Sequence, residues 1–433
     1  MKHTIFALAS AQGRAGVSVI RLSGAQALWA LQQLSSKNFI PRRAVYTPLV
    51  HDGEIIDQAV AIWFQAPNSF TGEDCVELHV HGSKAVLDKL YAVLTSLDLR
   101  LAEPGEFSRR AVGNGKLDLT QAEGIADLVD AESEAQRRQA LTQLDGGLKA
   151  RYEGWYTDLV GILARLEVFI DFPDEDLPDE LSQTILARIA DLEAELTEAI
   201  ADAGRGRQIR EGYRVVILGE PNAGKSSLFN RLLKAETAIV TAIAGTTRDV
   251  IEAQFRVGPY SVLLYDTAGL RETDEVVEQE GIRRAREKGH LADLRIWVID
   301  RTAEANADID IREGDFVVFN KSDIPGDFDV SRGTHEISTL TGAGIDQLVA
   351  DIEARVSAAL SSQTFPAATR QRHIDRLTEA RDRLTDARLS RLRVPELTAE
   401  QIRSAINAFE ALFGRYDVEG VLDVVFSTFC IGK

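Results

Sequence analysis

Eight residues near the middle of the chain have the types and order needed to hold a phosphate chain. Gly219-Glu220-Pro221-Asn222-Ala223-Gly224-Lys225-Ser226 fits GxxxxGK[ST], with the strand-forming run RVVIL before it and the helix-forming run SSLFNRLL after it. In that setting the backbone N–H groups from Asn222 through Ser227 make an electropositive cradle at a helix N-terminus. Lys225 can neutralise the β and γ oxygens, and the Ser226 hydroxyl can ligate Mg²⁺.

Four more segments follow in the order that nucleotide chemistry requires. Thr241-Ala242-Ile243-Ala244-Gly245-Thr246-Thr247 is polar and glycine-bearing, as suits a switch. One threonine, assigned here as Thr247, would reach Mg²⁺ when a γ-phosphate is present and release it after hydrolysis. Asp266-Thr267-Ala268-Gly269 follows the strand-like SVLLY, which puts the Asp266 carboxylate at a carboxyl strand end, where α/β sheets bind ligands. It suits the Mg²⁺ shell, and the Gly269 N–H suits the γ-phosphate. Asn320-Lys321-Ser322-Asp323 follows DFVVF; Asp323 can accept two N–H bonds from a guanine edge, which adenine does not offer. Ser338, opening Ser338-Thr339-Leu340, supplies a backbone contact to the guanine oxygen. The ordered set predicts a Mg²⁺-dependent GTPase.

The pattern around these segments predicts the elements that position them. Residues 211–363 alternate strand and helix, as in an inserted α/β P-loop GTPase domain of Ras-like type. Residues 1–115 combine short β-rich runs with one helical stretch, SKAVLDKLYAVLTSL, and predict an α+β domain. Apolar residues at helical spacing fill 116–210 and 364–433, so the α/β domain is expected to interrupt an α-helical domain built from two chain segments.

With 433 residues, 45% of them hydrophobic and 27% charged, the chain can bury several cores and is not a disordered or low-complexity sequence. Its net charge of −18, concentrated in residues 116–363, argues against a general electrostatic grip on nucleic acid or anionic lipid. The two cysteines, Cys75 and Cys430, allow no disulfide framework. No run is long and apolar enough to cross a bilayer, and MKHTIFALASAQGRAG has no signal-peptide core, which predicts a cytoplasmic chain without membrane attachment.

GEPNAGKSSLFN, AIAGTTRDV, DTAGLRETDEVVEQEGI and NKSD resemble the GTPase domain of the TrmE (MnmE) family of tRNA-modification GTPases. The similarity continues in GRAGVSVIRLSG, NSFTGEDCVELHVHG, EPGEFSRRAVGNGKLDLTQAEGIADL and the terminal FCIGK. Leu270 stands where Ras-like proteins carry a water-positioning Gln. The resemblance implies that Glu278 is catalytic, acting through a bridging water, and that K⁺ held by Asn222, Thr241, Ile243 and Thr246 replaces an arginine finger. It also implies that residues 1–115 dimerise and bind 5-formyltetrahydrofolate or a related one-carbon folate, with Arg21, Glu77, Lys116 and Lys433 at the site. By residue type alone, Arg21 and Glu77 read as ordinary strand charges. His79 and His81 share one strand face and read as a surface pair. Cys430 fits either a nucleophile or a packed thiol.

From the resemblance, the expected activity is GTP hydrolysis coupled to addition of a carboxymethylaminomethyl-type group at C5 of the wobble uridine of certain tRNAs. The chain would act as a homodimer, in a hetero-oligomer with a flavoprotein of the MnmG family. An RNA-associated assembly GTPase of the Era or Der type is the alternative. Era-like proteins end in a basic KH module and Der-like ones repeat the GTPase domain, and neither feature is visible here. A scaffold whose GTPase gates oligomerisation is a third reading, and it predicts no folate binding.

Overall fold

A computed structural model of the chain describes residues 3–171, 179–235, 251–266, 292–303, 310–326, 334–362, 364–390, 392–415, 425–427, 429 and 432. They form two compact units, the first from residues 1–126, 143–194 and 376–433, the second from residues 127–142 and 195–375.

The first unit opens with a six-stranded sheet. Its strands are β1 (Ile5–Leu8), β2 (Ala15–Ser23), β3 (Val45–His51), β4 (Glu54–Phe64), β5 (Cys75–Gly82) and β6 (Arg100–Leu101), in the spatial order β3-β4-β5-β2-β1-β6. All neighbours are antiparallel except β1 and β6. Pro48, which cannot donate to a ladder, sits in the edge strand β3. Strand alternation sends Ile20, Leu22, Val76 and Leu78 to one face, where they pack with Leu31 and Leu34 of α1 (Ala27–Leu34) and Leu90 and Leu94 of α2 (Lys84–Ser96). Each such fully buried side chain contributes about 1.5–3 kcal/mol. The same alternation turns Arg21, Glu77 and His79 to the opposite face, beside α3 (Glu106–Gly113).

Helices from both flanks of the α/β sequence complete this unit, as the two-segment reading expects. α6 (Gly147–Asp171) packs on α11 (Pro395–Phe413) through Tyr152, Trp155, Phe409 and Phe413, with ring centroids 6.0–6.4 Å apart. Pro395 starts α11, where its missing N–H costs nothing, and Gly414 at φ +76° ends it. The flanks also hold α4 (Leu119–Val129), α5 (Glu134–Leu144), α7 (Asp179–Glu211) and α10 (Gln371–Ser390), of which residues 127–142, 195–211 and 371–375 fall in the second unit.

The second unit holds a sheet in the order β12-β11-β10-β7-β9-β8, formed by β7 (Tyr213–Gly219), β8 (Ile251–Val257), β9 (Tyr260–Asp266), β10 (Leu294–Asp300), β11 (Phe316–Asn320) and β12 (His335–Glu336). It is parallel except for the β8–β9 hairpin. Val215 and Ile217 pack with Leu228 and Leu232 of α8 (Lys225–Ala235) and Leu348, Ile352 and Val356 of α9 (Ile345–Leu360). Residues from the helical sequence are bonded into this unit: the Ala135 amide donates to Pro259 O in the hairpin turn at 2.9 Å, and Gln139 Nε2 donates to Gly206 O at 2.9 Å. Among the described residues no helix is long and apolar enough to cross a membrane.

Candidate functional sites

The phosphate loop leaves β7 through Gly219 at φ +144°, where a β-carbon would fall 2.2 Å from Val298 O of β10. Only glycine lets the two strand ends approach so closely. Asn222 and Gly224 also have positive φ, +62° and +99°, which curls the successive N–H groups into a concave nest at the start of α8. Lys225 is 8% exposed and donates to Gly219 O at 2.9 Å and Glu220 O at 2.7 Å, spanning the mouth of the loop. Burial pulls its pKa below the ordinary lysine value, against the opposing pull of Asp266 and Glu220. Asp266, at the end of β9, is 1% exposed. Ser226 and Ser227 are exposed at the first turn of α8. A nest of backbone N–H groups held by left-handed residues, a buried cation and a buried carboxylate together fit a nucleoside triphosphate with its Mg²⁺.

The base-reading loop is tied to the phosphate loop by Asn320, which is 1% exposed. Its Nδ2 donates to Ala223 O at 2.9 Å and its Oδ1 accepts from the Thr339 amide at 3.0 Å, so one side chain joins three loops. Lys321, at φ +67°, forms an ion pair with Asp300 at the end of β10. Asp323 is exposed but oriented: the buried Ser338 hydroxyl donates to its Oδ1, and the Thr341 amide donates to Ser338 Oγ at 3.1 Å. Sequence reasoning assigned Ser338 a backbone contact only; its hydroxyl also aims the carboxylate that would read guanine.

A second polar site lies on the face of the first sheet opposite α1 and α2, beside α3. The β2–β5 register sets Arg21 opposite Glu77, and Arg21 Nη2 and Nε reach Glu77 Oε1 at 2.9 and 3.2 Å. The Arg21 guanidinium also lies 5.1 Å from the Phe70 ring centroid and 5.9 Å from that of Phe107 on α3. His79 Nε2 is 3.4 Å from Glu77 Oε2, whereas His81 Nδ1 is 2.8 Å from Asp57 Oδ1 on β4, so the two histidines engage different carboxylates. Lys116 is exposed, its stem against the Thr71–Gly72 loop that follows Phe70. A partly exposed carboxylate and guanidinium beside the partly exposed Phe70 ring, backed by the buried Phe107, suit a flat heterocycle bearing amide N–H groups and an anionic tail. The terminal segment reaches the same sheet, since Gly432 lies against Leu8 of β1.

Thr241, Ala242, Ile243, Ala244, Gly245, Thr246, Thr247, Thr267, Ala268, Gly269, Glu278, Cys430 and Lys433 lie outside the described residues. Of the four positions expected to hold K⁺, the described residues include only Asn222, exposed in the phosphate loop.

Residues 4–116 match the family described as GTP-binding protein TrmE N-terminus, and residues 119–430 match the MnmE helical domain. Over its full length the chain is 49% identical to the whole tRNA modification GTPase MnmE of Caulobacter vibrioides. It is 48% identical to that of Hyphomonas neptunium, with 100% of this chain and 99% of the relative covered. For that of Rhodospirillum rubrum the identity is 47%, with 99% of each chain covered.

Proposed function

The chain belongs to the MnmE (TrmE) family of tRNA-modification GTPases and is a GTP hydrolase; on that premise we propose that it acts on the wobble uridine. In this reading it works with a flavoprotein of the MnmG family to add a carboxymethylaminomethyl-type group at C5 in certain tRNAs. The observation that carries the proposal is the coexistence, in one chain with full-length family identity, of a GTP-type nucleotide site and a separate polar and aromatic site on the first sheet.

The nucleotide site has a division of labour. Asn222 through Ser227 hold the phosphates, and Lys225 leaves the Gly219 and Glu220 carbonyls to meet the β and γ oxygens. Asp323, aimed by Ser338, accepts the guanine N–H pair, and Asn320 keeps the base and phosphate loops in register. Ser226, Thr247 and Asp266 would hold Mg²⁺, while Asn222, Thr241, Ile243 and Thr246 would hold K⁺. When bound, these cations supply positive charge to the β–γ bridge as it breaks. Glu278 orients the attacking water through a second water, a role that Leu270 cannot fill. Thr241 through Thr247 and Asp266 through Gly269 close on GTP, bring two GTPase domains of a homodimer together, and let them part after hydrolysis.

At the other site, Glu77 faces the amide edge of a pterin, and Arg21, Lys116 and Lys433 face the glutamyl tail of 5-formyltetrahydrofolate or a related one-carbon folate. The corresponding division of the chain is residues 1–115, 116–210 with 364–433, and 211–363. A cytoplasmic location fits a tRNA substrate and a flavoprotein partner.

The test is reconstitution. Purified chain, MnmG-family flavoprotein, a reductant for its flavin, GTP, the folate, glycine as the source of the NH–CH2–COO− part and unmodified tRNA should yield C5-modified uridine, and omitting GTP or the flavoprotein should abolish it. Product formed without GTP would reject the proposed coupling.

A further inference from the structure

The loop between β4 and β5, residues 65–74, forms one wall of the polar site. Its Phe70 ring centroid lies 5.1 Å from the Arg21 guanidinium. Gly72, at φ +80°, leaves room for the Lys116 stem: a β-carbon there would fall 3.1 Å from Lys116 Cγ. A loop keeps such a path only where bonds hold it, and two sets of bonds do. On the outside, Asn114, which ends α3, donates from Nδ2 to Thr71 O at 2.7 Å. On the inside, Ser23 and Thr71 are fully buried and their hydroxyl oxygens lie 2.7 Å apart.

The inner bonds run in one direction. A carboxylate only accepts, so Ser23 Oγ donates to Glu73 Oε2 at 2.7 Å. Ser23 Oγ in turn accepts from the Thr71 hydroxyl, whose oxygen accepts from the Cys75 thiol at 3.1 Å and the Glu73 amide at 3.2 Å. The chain ends on Glu73, where the buried Arg110 of α3 adds a bond from Nη1 at 2.9 Å. We infer that Glu73 and Asn114 are positioning residues: clamping the loop from both sides, they set Phe70 against Arg21 and Gly72 against Lys116, and so fix the two cations toward an anionic tail. Glu77 stands on β5 and is held by strand pairing with β2 and β4, so the half of the site that meets the heterocycle does not rely on the clamp. The inference rests on the proposed folate reading and assigns a role to residues outside it.

Calorimetric titration of the full chain with 5-formyltetrahydrofolate, and with 5-formyltetrahydropterin, which lacks the aminobenzoylglutamate tail, tests it. Glu73→Gln keeps the shape of the side chain, and Arg110 retains Glu106 as its counter-charge. Asn114→Ala cuts only the outer bond, at an exposed residue. Each is expected to weaken the folate about five- to tenfold, the scale of one hydrogen bond, and the pterin less than about twofold. Thr71→Val, which has the shape without the hydroxyl, should repeat the loss, and Thr71→Ser should restore the affinity. A chain carrying both Asn114→Ala and Lys116→Ala should bind the folate within about twofold of Lys116→Ala, because a cation that is absent cannot be misplaced. Equal weakening of folate and pterin would overturn the inference, since the clamp would then only stabilise the fold. Losses that multiply in the double variant, or folate affinity unchanged in Glu73→Gln and Asn114→Ala, would overturn it alone and leave the folate reading standing. Absence of folate binding by the unsubstituted chain would overturn that reading and the inference with it.

Discussion

Gly224→Ala tests whether the phosphate loop and the base-reading loop act as one device. Gly224 has φ +99°, a conformation that costs an L-residue about 1–2 kcal/mol. Its new β-carbon would stand 2.1 Å from Asn320 Nδ2, the atom that donates to Ala223 O. Breaking that buried bond costs a further 1–3 kcal/mol or so. In the empty protein the substituted loop can relax out of its nest, so nucleotide binding must rebuild it. The expected penalty is about 2–5 kcal/mol, or roughly thirtyfold to several thousandfold in affinity. Because Asn320 also accepts from the Thr339 amide, GDP and GTP should suffer alike. Titration with fluorescent GDP and GTP analogues reads this directly. Affinity within threefold of the unsubstituted chain for both nucleotides would refute the argument that these loops are coupled through Asn320.

Asp323→Asn should weaken GTP binding and improve xanthosine triphosphate binding, because an amide presents a donor to the added carbonyl; competition titration checks it, and equal losses would make Asp323 structural. GTP turnover should fall at least about tenfold when Na⁺ replaces K⁺ at equal ionic strength, since one well-placed positive charge at the β–γ bridge is worth more than that in rate; equal turnover would remove the cation from the mechanism. Burial pushes the Glu106 carboxyl up, but the Glu103 amide and the Arg100 and Arg110 guanidiniums outweigh it and hold its pKa below the ordinary 4.5. A carboxylate lowered by folding stabilises the protein fully above that ordinary value and progressively less as pH falls through its lower folded value. Glu106→Gln should therefore be less stable at neutral pH, with the difference in unfolding temperature narrowing in acid; a constant difference would contradict the ion-pair account.

What could be read from the sequence was local. The phosphate loop is legible because its chemistry needs fixed residue types at consecutive positions, and the strand before it and helix after it carry their own periodicities. The inserted α/β layout is legible for the same reason. Ser338 and Asn320 were identified, but their bonds to Asp323 and Ala223 were not, since these join residues that only the parallel sheet brings together. Arg21 and Glu77 are uninformative as isolated strand charges; they become a pair only once the β2–β5 register places them opposite each other. No periodicity could disclose that Phe426 would settle on Gly105, most of the chain away, or that the Ala135 amide would cap the turn at Pro259. The terminal residues Gly432 and Lys433 drew notice through family resemblance, and the contact with Leu8 supplies a physical reason for the glycine.

The central claim is that GTP hydrolysis by this chain serves modification of the tRNA wobble uridine. Mass spectrometry of tRNA from cells lacking the chain tests it most directly. The account predicts that the carboxymethylaminomethyl-type C5 group disappears from wobble uridines and returns when the intact chain is restored. Wobble uridines that carry the same modification with and without the chain would contradict it.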